Sequence, residues 1–331
     1  MVVRVKTFAK WTTLLCMLLV FLGNSQASAI ECGLFNRFII GKKEAVSKDF
    51  QIDSDGSLVH YSGSAEDVVV PKNVKSISFG AFMDHSEIKT ISLPEGLLTV
   101  DECAFYGCSG IKSIRLPEST TRIERLAFGS CASLEKIYIG KNVSDIAELF
   151  VCDCPKLSKF EISSKNKKFR VVDGILYSKD MEDLILCPQN GPETISVPDE
   201  VITIKEQSFF ECENLKEVNI GKNVKYIDEA AFYGCKKLEK VNMSESVKKI
   251  RSYAFAECPA LGSFSAGKNV TYIGNGAFYN CNNLSTFTCM SKSVEFGTDV
   301  FTEGLGVTLY VADGSNAYEY ALNNKYEFEI V

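Results

Sequence analysis

Two histidines, His60 and His85, and thirteen cysteines are the side chains through which this sequence could run nucleophilic or metal chemistry. His85 shares a beat of 23 residues with Cys108, Cys131 and Cys154, and the beat returns in Cys212, Cys235, Cys258 and Cys281. A cysteine–histidine nucleophile would need His85 within hydrogen-bond reach of a thiol such as Cys108, one repeat away. Nothing around that pair reads as an oxyanion hole or a pocket that excludes water. Cys152-Asp153-Cys154 leaves too little chain between two thiolates for a zinc site, and no second pair is evident. Asp53-Ser54-Asp55-Gly56 opens like a calcium loop, but Leu58 and Ser64 stand where that loop needs Gly and Glu. A hairpin turn explains the acidic run better. There is no phosphate-binding glycine loop. The reading is a protein that is not an enzyme and takes no cofactor and no metal.

The beat itself carries more than the chemistry does. A fixed period in the range of about 20–50 residues marks a solenoid, in which each unit stacks on the next. After each ladder position come apolar residues at fixed offsets, as in Ile111-Ile114-Leu116 and Leu238-Val241-Met243. The last two alternate with polar residues, the pattern of a strand with one buried face. A turn follows, often Gly-Lys-Asn-Val, then a second apolar pair such as Val224/Ile227, then Ala-Phe just before the ladder position, as in Ala254-Phe255. No 23-residue unit can enclose a core alone, so like residues must pack on like residues in the neighbouring turns. The fold class expected is a repeat solenoid of leucine-rich repeats, a right-handed superhelix with a parallel β-sheet on the concave face. Eight stacked turns would make that sheet roughly 40 Å long.

The pattern Ile-Asp-Glu-Ala-Ala-Phe-Tyr-Gly-Cys-Lys-Lys-Leu-Glu-Lys-Val at 227–241 resembles the BspA-like leucine-rich repeats, of the Treponema type with 23 residues, found in bacterial surface proteins and in some mucosal protozoa. The likeness runs through nearly all of residues 50–331. It implies a secreted or surface-exposed protein, and an adhesin for host matrix proteins as several such proteins are.

Residues 1–29 read as a signal peptide. Arg4, Lys6 and Lys10 precede the apolar run Leu14 to Leu22, and Ala27-Ser28-Ala29 is a cleavage pattern. The apolar run is too short to span a bilayer, and no later stretch is apolar enough. Losing three cations takes the net charge from −6 to −9, which argues against nucleic acid as a partner. Residues 30–71 are expected to form an N-terminal segment and β-hairpin cap, 72–162 a first repeat block, and 163–200 a mid-chain β-hairpin insertion. A second block follows over 201–290, with a last repeat and cap over 291–331. The ladder cysteines are expected to be reduced, since equivalent side chains point in parallel whereas a disulfide needs them to converge. A bridge among Cys32, Cys103, Cys152, Cys187 and Cys289 stays open. Four glycosylation sequons, at Asn142, Asn242, Asn269 and Asn283, have meaning only in a host that uses them.

Function then falls to the open face of the sheet. Its outward positions are small hydroxyls at the ends and larger groups in the middle: Arg115, Lys136, Tyr138, Lys159 and Glu161 in the first block, Glu217, Asn219, Lys240 and Asn242 in the second. Charged and aromatic groups on a rigid surface suit a protein ligand. The expectation is a secreted or cell-surface protein, or a periplasmic one, that binds host extracellular-matrix or cell-surface proteins. The alternative is a structural, self-associating envelope protein.

Overall fold

The computed structural model describes residues 43–302 and 304–331. The expected signal peptide, its expected cleavage site and Cys32 lie outside them. The chain is a leucine-rich-repeat solenoid walled by two sets of parallel strands. One set, the main sheet, uses strands such as Ser113–Arg115, Lys136–Ile139 and Lys159–Ile162, whose partners are each 23 residues apart in register. The other uses the two-residue strands that follow each turn, from Ser76–Ile77 to Asp145–Ile146 and from Thr203–Ile204 to Glu295–Phe296.

The parallel sheet is present as expected, but its hydrogen-bonded ladder is not continuous. The main sheet falls into pieces of two, three, three and four strands, whereas the short strands form sheets of seven and eight. Part of the division is the hairpin insertion after Lys159–Ile162. The other two breaks fall between Thr90–Ser92 and Ser113–Arg115 and between Lys240–Asn242 and Ser263–Ala266. Next to each lie inward residues that are only half-buried, Ile91 and Val241, where Ile114, Ile137 and Val218 are fully enclosed.

Each short-strand sheet is headed by three antiparallel strands. In the first these are Lys43–Ser47, Phe50–Asp53 and Ser57–Tyr61; in the second, Phe169–Val172, Ile175–Ser178 and Asp183–Leu186. The third strand of each then pairs in parallel with the first two-residue strand. The mid-chain meander serves two cores at once, by the alternation of residues along Ile175–Ser178 and by the bulge that sets Leu186 opposite Leu176 but Leu184 opposite Tyr177. Leu176 and Leu186 join the core of the first block, while Ile175, Tyr177 and Leu184 join that of the second. The main sheet resumes at Thr194–Ser196, which pairs with Glu217–Asn219. At the far end lie strand Thr308–Val311 and helix Asn316–Asn324, and a further strand, Glu327–Ile330, closes the sheet.

The side opposite the main sheet is built from the Ala-Phe segments. Their rings stack from turn to turn: Phe82 on Phe105 at 5.1 Å, Phe105 on Phe128 at 5.5 Å, and Phe209, Phe232 and Phe255 at 4.5 and 5.0 Å. Backbone bonds run with them, as from Phe105 N–H to the Ala127 carbonyl at 2.8 Å. To turn these corners the backbone is left-handed twice per repeat. One corner holds Cys103, Leu126, Leu149, Gln207, Ala230 and Tyr253, the other Ser130, Asp153, Glu211 and Glu257. Such a conformation costs a non-glycine residue about 1–2 kcal/mol, and the bonds between turns hold it in place.

Ser208 occupies an Ala position of this wall. It is fully buried, and its hydroxyl has no hydrogen-bond partner. A buried hydroxyl left unpaired costs on the order of 1–3 kcal/mol. Ser208→Ala is expected to raise the stability of the protein by about 1 kcal/mol, read as a higher midpoint in urea.

Candidate functional site

The ladder has a structural use that the sequence reading did not anticipate. Every ladder thiol except that of Cys212 donates to the carbonyl of the Phe 26 residues earlier, among them Cys108 to Phe82 at 3.0 Å, Cys131 to Phe105 at 3.2 Å, Cys235 to Phe209 at 3.1 Å and Cys281 to Phe255 at 3.0 Å, whereas Cys212, next to the hairpin, lies 3.7 Å from the Pro188 carbonyl. His85 does the same work from its place in the ladder, with Nε2 2.9 Å from the Tyr61 carbonyl, while Nδ1 lies 2.6 Å from Glu87. Both ring nitrogens are thus committed away from Cys108. Burial pushes the Cys108 thiol far up, the opposite of what a nucleophile needs. The eleven cysteines among the described residues are reduced, Cys103, Cys152, Cys187 and Cys289 included, and none is joined in a disulfide. Among these residues no group of three or more His, Cys, Asp or Glu is placed to hold a metal ion.

The nine candidate residues of the open face form two clusters. In the first, cross-strand register sets Arg115, Tyr138 and Glu161 in one row and Lys136 beside Lys159 in the next. The Arg115 guanidinium lies 3.7 Å above the Tyr138 ring, a cation–π contact, and the Tyr138 hydroxyl donates to Glu118 at 2.9 Å. Lys159 pairs with Glu161 at 2.9 Å and holds that carboxyl below its usual range. In the second cluster Glu217 pairs with Lys240 at 2.9 Å and accepts from Asn242 at 2.7 Å, and Asn242 also donates to Asn219 at 2.6 Å. The hairpin separates the two. Phe160 N–H donates to the Gly174 carbonyl at 3.0 Å, which occupies the outer edge of strand Lys159–Ile162.

Where the blocks meet, a cleft of about 190 Å³ opens between Ile146–Phe150, the hairpin residues Phe169, Asp183, Ile185 and Leu186, and Lys205 and Glu206. Glu206 is half-buried there, and its pKa is pushed up to about 7, first by burial and then by the negative charges of Glu148, Glu229 and Asp228. Arg125 offsets this in part. The column is legible in hindsight: Glu148 and Glu206 are separated by the same 58 residues as Cys154 and Cys212, and Glu229 follows one repeat later. An acid with a raised folded-state pKa stabilises the fold below its unfolded value, near 4.5, and that stability is lost as pH rises through about 7. Glu206→Gln is therefore expected to match the parent near pH 5 and to exceed it above pH 7. Allowing for solvent screening, the gain is about 1–2 kcal/mol. Denaturant unfolding of both proteins across this range checks it; a gap that does not grow with pH would refute it.

A solenoid of 23-residue turns with parallel strands on one wall and stacked phenylalanines on another defines a leucine-rich-repeat protein. The BspA-type leucine-rich-repeat region matches in six copies over residues 56–171 and 189–306. The chain belongs to that family of repeat proteins. No curated protein matches its sequence. Among solved structures, the pneumococcal vaccine antigen PcpA superposes with a TM-score of 0.59 at 18% identity, over 88% of this chain and 96% of that one. A leucine-rich-repeat protein of Eubacterium ventriosum gives 0.52 at 20% identity, over 82% and 78%. A leucine-rich cell surface protein of Faecalibacterium prausnitzii gives 0.50 at 16%, over 80% and 95%. Identities this low establish a shared fold. Family and fold together support a general role in protein–protein interaction at a surface, and no helix of the described residues is long and apolar enough to cross a membrane.

Proposed function

We propose that the protein is exported and acts as an adhesin, binding a host matrix or cell-surface protein through the open face of its main sheet. The supporting observation is the Arg115–Tyr138–Glu161 row with Lys136 and Lys159 beside it. Its backbone is held by hydrogen bonds from turn to turn, so the side chains stand on a surface that loses little freedom on binding. The stacked Arg115 and Tyr138 are of the types that anchor protein interfaces. The second cluster satisfies itself internally and serves as rim. The cell-surface description of the Faecalibacterium protein agrees with an exported location. Association end to end is the weaker reading, because it would set the acidic edge strand Glu327–Ile330 against Asp67 of the opposite edge, and like charges facing each other destabilise a sheet.

The test is binding of the purified protein to fibronectin, laminin and fibrinogen, alongside the variant R115A/K136A/Y138A/K159A. Saturable binding that the still-folded variant loses by about 100-fold is expected, as for loss of two anchor residues. Equal binding by both proteins would move the site off this face, and binding by neither would end the matrix-adhesin reading.

A further inference from the structure

The break between strands Thr90–Ser92 and Ser113–Arg115 opens a groove of about 580 Å³, within the size range of ligand sites. Its walls are Ser86, Lys89 and Thr90 on one turn and Ser109, Lys112 and Ser113 on the next, with Ser133 beyond. Gly110 forms part of the lining, and only glycine fits there. A Cβ would lie 2.4 Å from the carbonyl oxygens of Ser86 and Ile88, and 3.2 Å from the Lys89 ammonium, which therefore sits over this bare stretch of backbone.

Three features of the groove point to an anion. The first is the backbone. At this position most turns bond to the one before: Glu135 N–H donates to the Lys112 carbonyl and, in the second block, Glu239 N–H donates to that of Lys216. Among the described residues the Lys112 N–H has no such bond to Lys89, so a donor is left over where the sheet parts. The second is the charge. Lys89, Lys112 and, one turn on, Lys136 enter no ion pair among the described residues, whereas the second-block lysines on the same edge, Lys216 and Lys240, are paired with Glu193 and Glu217. The third is the hydroxyls: those of Ser86, Ser109, Ser113 and Ser133 make no hydrogen bond within the described residues. The other break in the main sheet has Glu239 and Gly262 where this one has Lys89 and Lys112, so it lacks the cations.

We propose that this groove binds a sulfated glycan. An extended polyanion meets one lysine per turn along Lys89, Lys112 and Lys136, while serine hydroxyls and the free Lys112 N–H donate to sulfate oxygens. The groove offers no apolar pocket to seat a peptide anchor and no aromatic face on which a nucleic-acid base could stack. The proposal shares Lys136 with the matrix-protein reading, but Lys89 and Lys112 lie outside the Arg115–Tyr138 cluster, so a variant at those two residues tests it separately.

The experiment measures binding of a fluorescent heparin oligosaccharide to the full protein, to K89A/K112A, and to K216A/K240A as a control. The expected result is saturable binding, weakened by added salt, that falls about tenfold or more in K89A/K112A and is unchanged in the control. Fibronectin binding by K89A/K112A should equal that of the parent, which separates the two readings. Equal loss in both variants would reduce the interaction to surface charge and overturn the site. Equal affinity for desulfated heparin would overturn the sulfate, and equal affinity for polyglutamate would reassign the groove to an acidic peptide. No heparin binding would end the proposal.

Discussion

Phe255→Ala should cost the protein about 3–5 kcal/mol of stability, the range for deleting a fully enclosed aromatic ring. Phe255 has no exposed surface. Its ring lies between Phe232 at 5.0 Å and Phe278 at 5.5 Å, with Phe264 tilted against it at 5.1 Å. The ring is held from both sides by backbone, since the Phe255 N–H donates to Ala277 and its carbonyl accepts the Cys281 thiol at 3.0 Å. The surrounding turns therefore have little freedom to collapse into the space left. In a stack where each turn contacts only its neighbours, such a defect weakens the turns next to it first. Chemical denaturation should show the loss, and hydrogen exchange should place it in residues of the second block before the first. A loss below about 1 kcal/mol would mean the wall relaxes, contrary to close packing.

The second large effect is expected at Asn166. This side chain is almost wholly buried and makes four hydrogen bonds: its amide donates to the carbonyls of Gly140 at 2.9 Å and Val143 at 3.0 Å, and its oxygen accepts from Lys168 N–H at 2.9 Å and Phe169 N–H at 2.8 Å. It stands one repeat after Val143, at the point where the next turn would have begun. It satisfies carbonyls of the fourth turn and aims the chain into the hairpin. Asn166→Ala strands two acceptors and two donors, a loss of about 3–5 kcal/mol. Asn166→Asp is the sharper probe. At neutral pH it points a carboxylate at two carbonyls, so it should be at least as damaging as alanine. On acidification the protonated acid can donate one bond, and part of the loss should return. An aspartate variant whose deficit is the same at pH 4 and pH 7 would show that the amide donors are not what fastens the hairpin.

Most of the fold was legible because stacking turns a 23-residue repeat into ladders, and the residues of a ladder advertise their spacing. Asn166 and the Glu148–Glu206–Glu229 column were legible by the same arithmetic, and were passed over because an amide or an acid in a repeat reads first as surface. Other features leave no such mark. Thr90–Ser92 and Ser113–Arg115 share the alternation of every other strand, and whether two such strands bond depends on turn-to-turn distance. Leu126 and Tyr253 take a left-handed backbone that their own types disfavour, because the bonds of the wall impose it. The binding face was the least legible. Which long side chains neutralise each other, as Lys240 and Glu217 do, and which stay free, as Lys89 and Lys112 do, is settled by reach across neighbouring turns.

The thiol-to-carbonyl bonds of the ladder also impose an order of events. In any compartment that oxidises thiols, the unfolded chain offers many cysteines to one another, and random pairing would lock turns out of register. Once folded, each ladder sulfur is buried and spent on a carbonyl, so exchange has no thiolate to start from. The protein is safe only after its turns have closed. Its protection is therefore kinetic, a race between the docking of each turn on its neighbour and the pairing of exposed thiols. A chain slowed in that race, by cold or by a defect such as Phe255→Ala, should be lost to mispaired disulfides well before its native state becomes unstable.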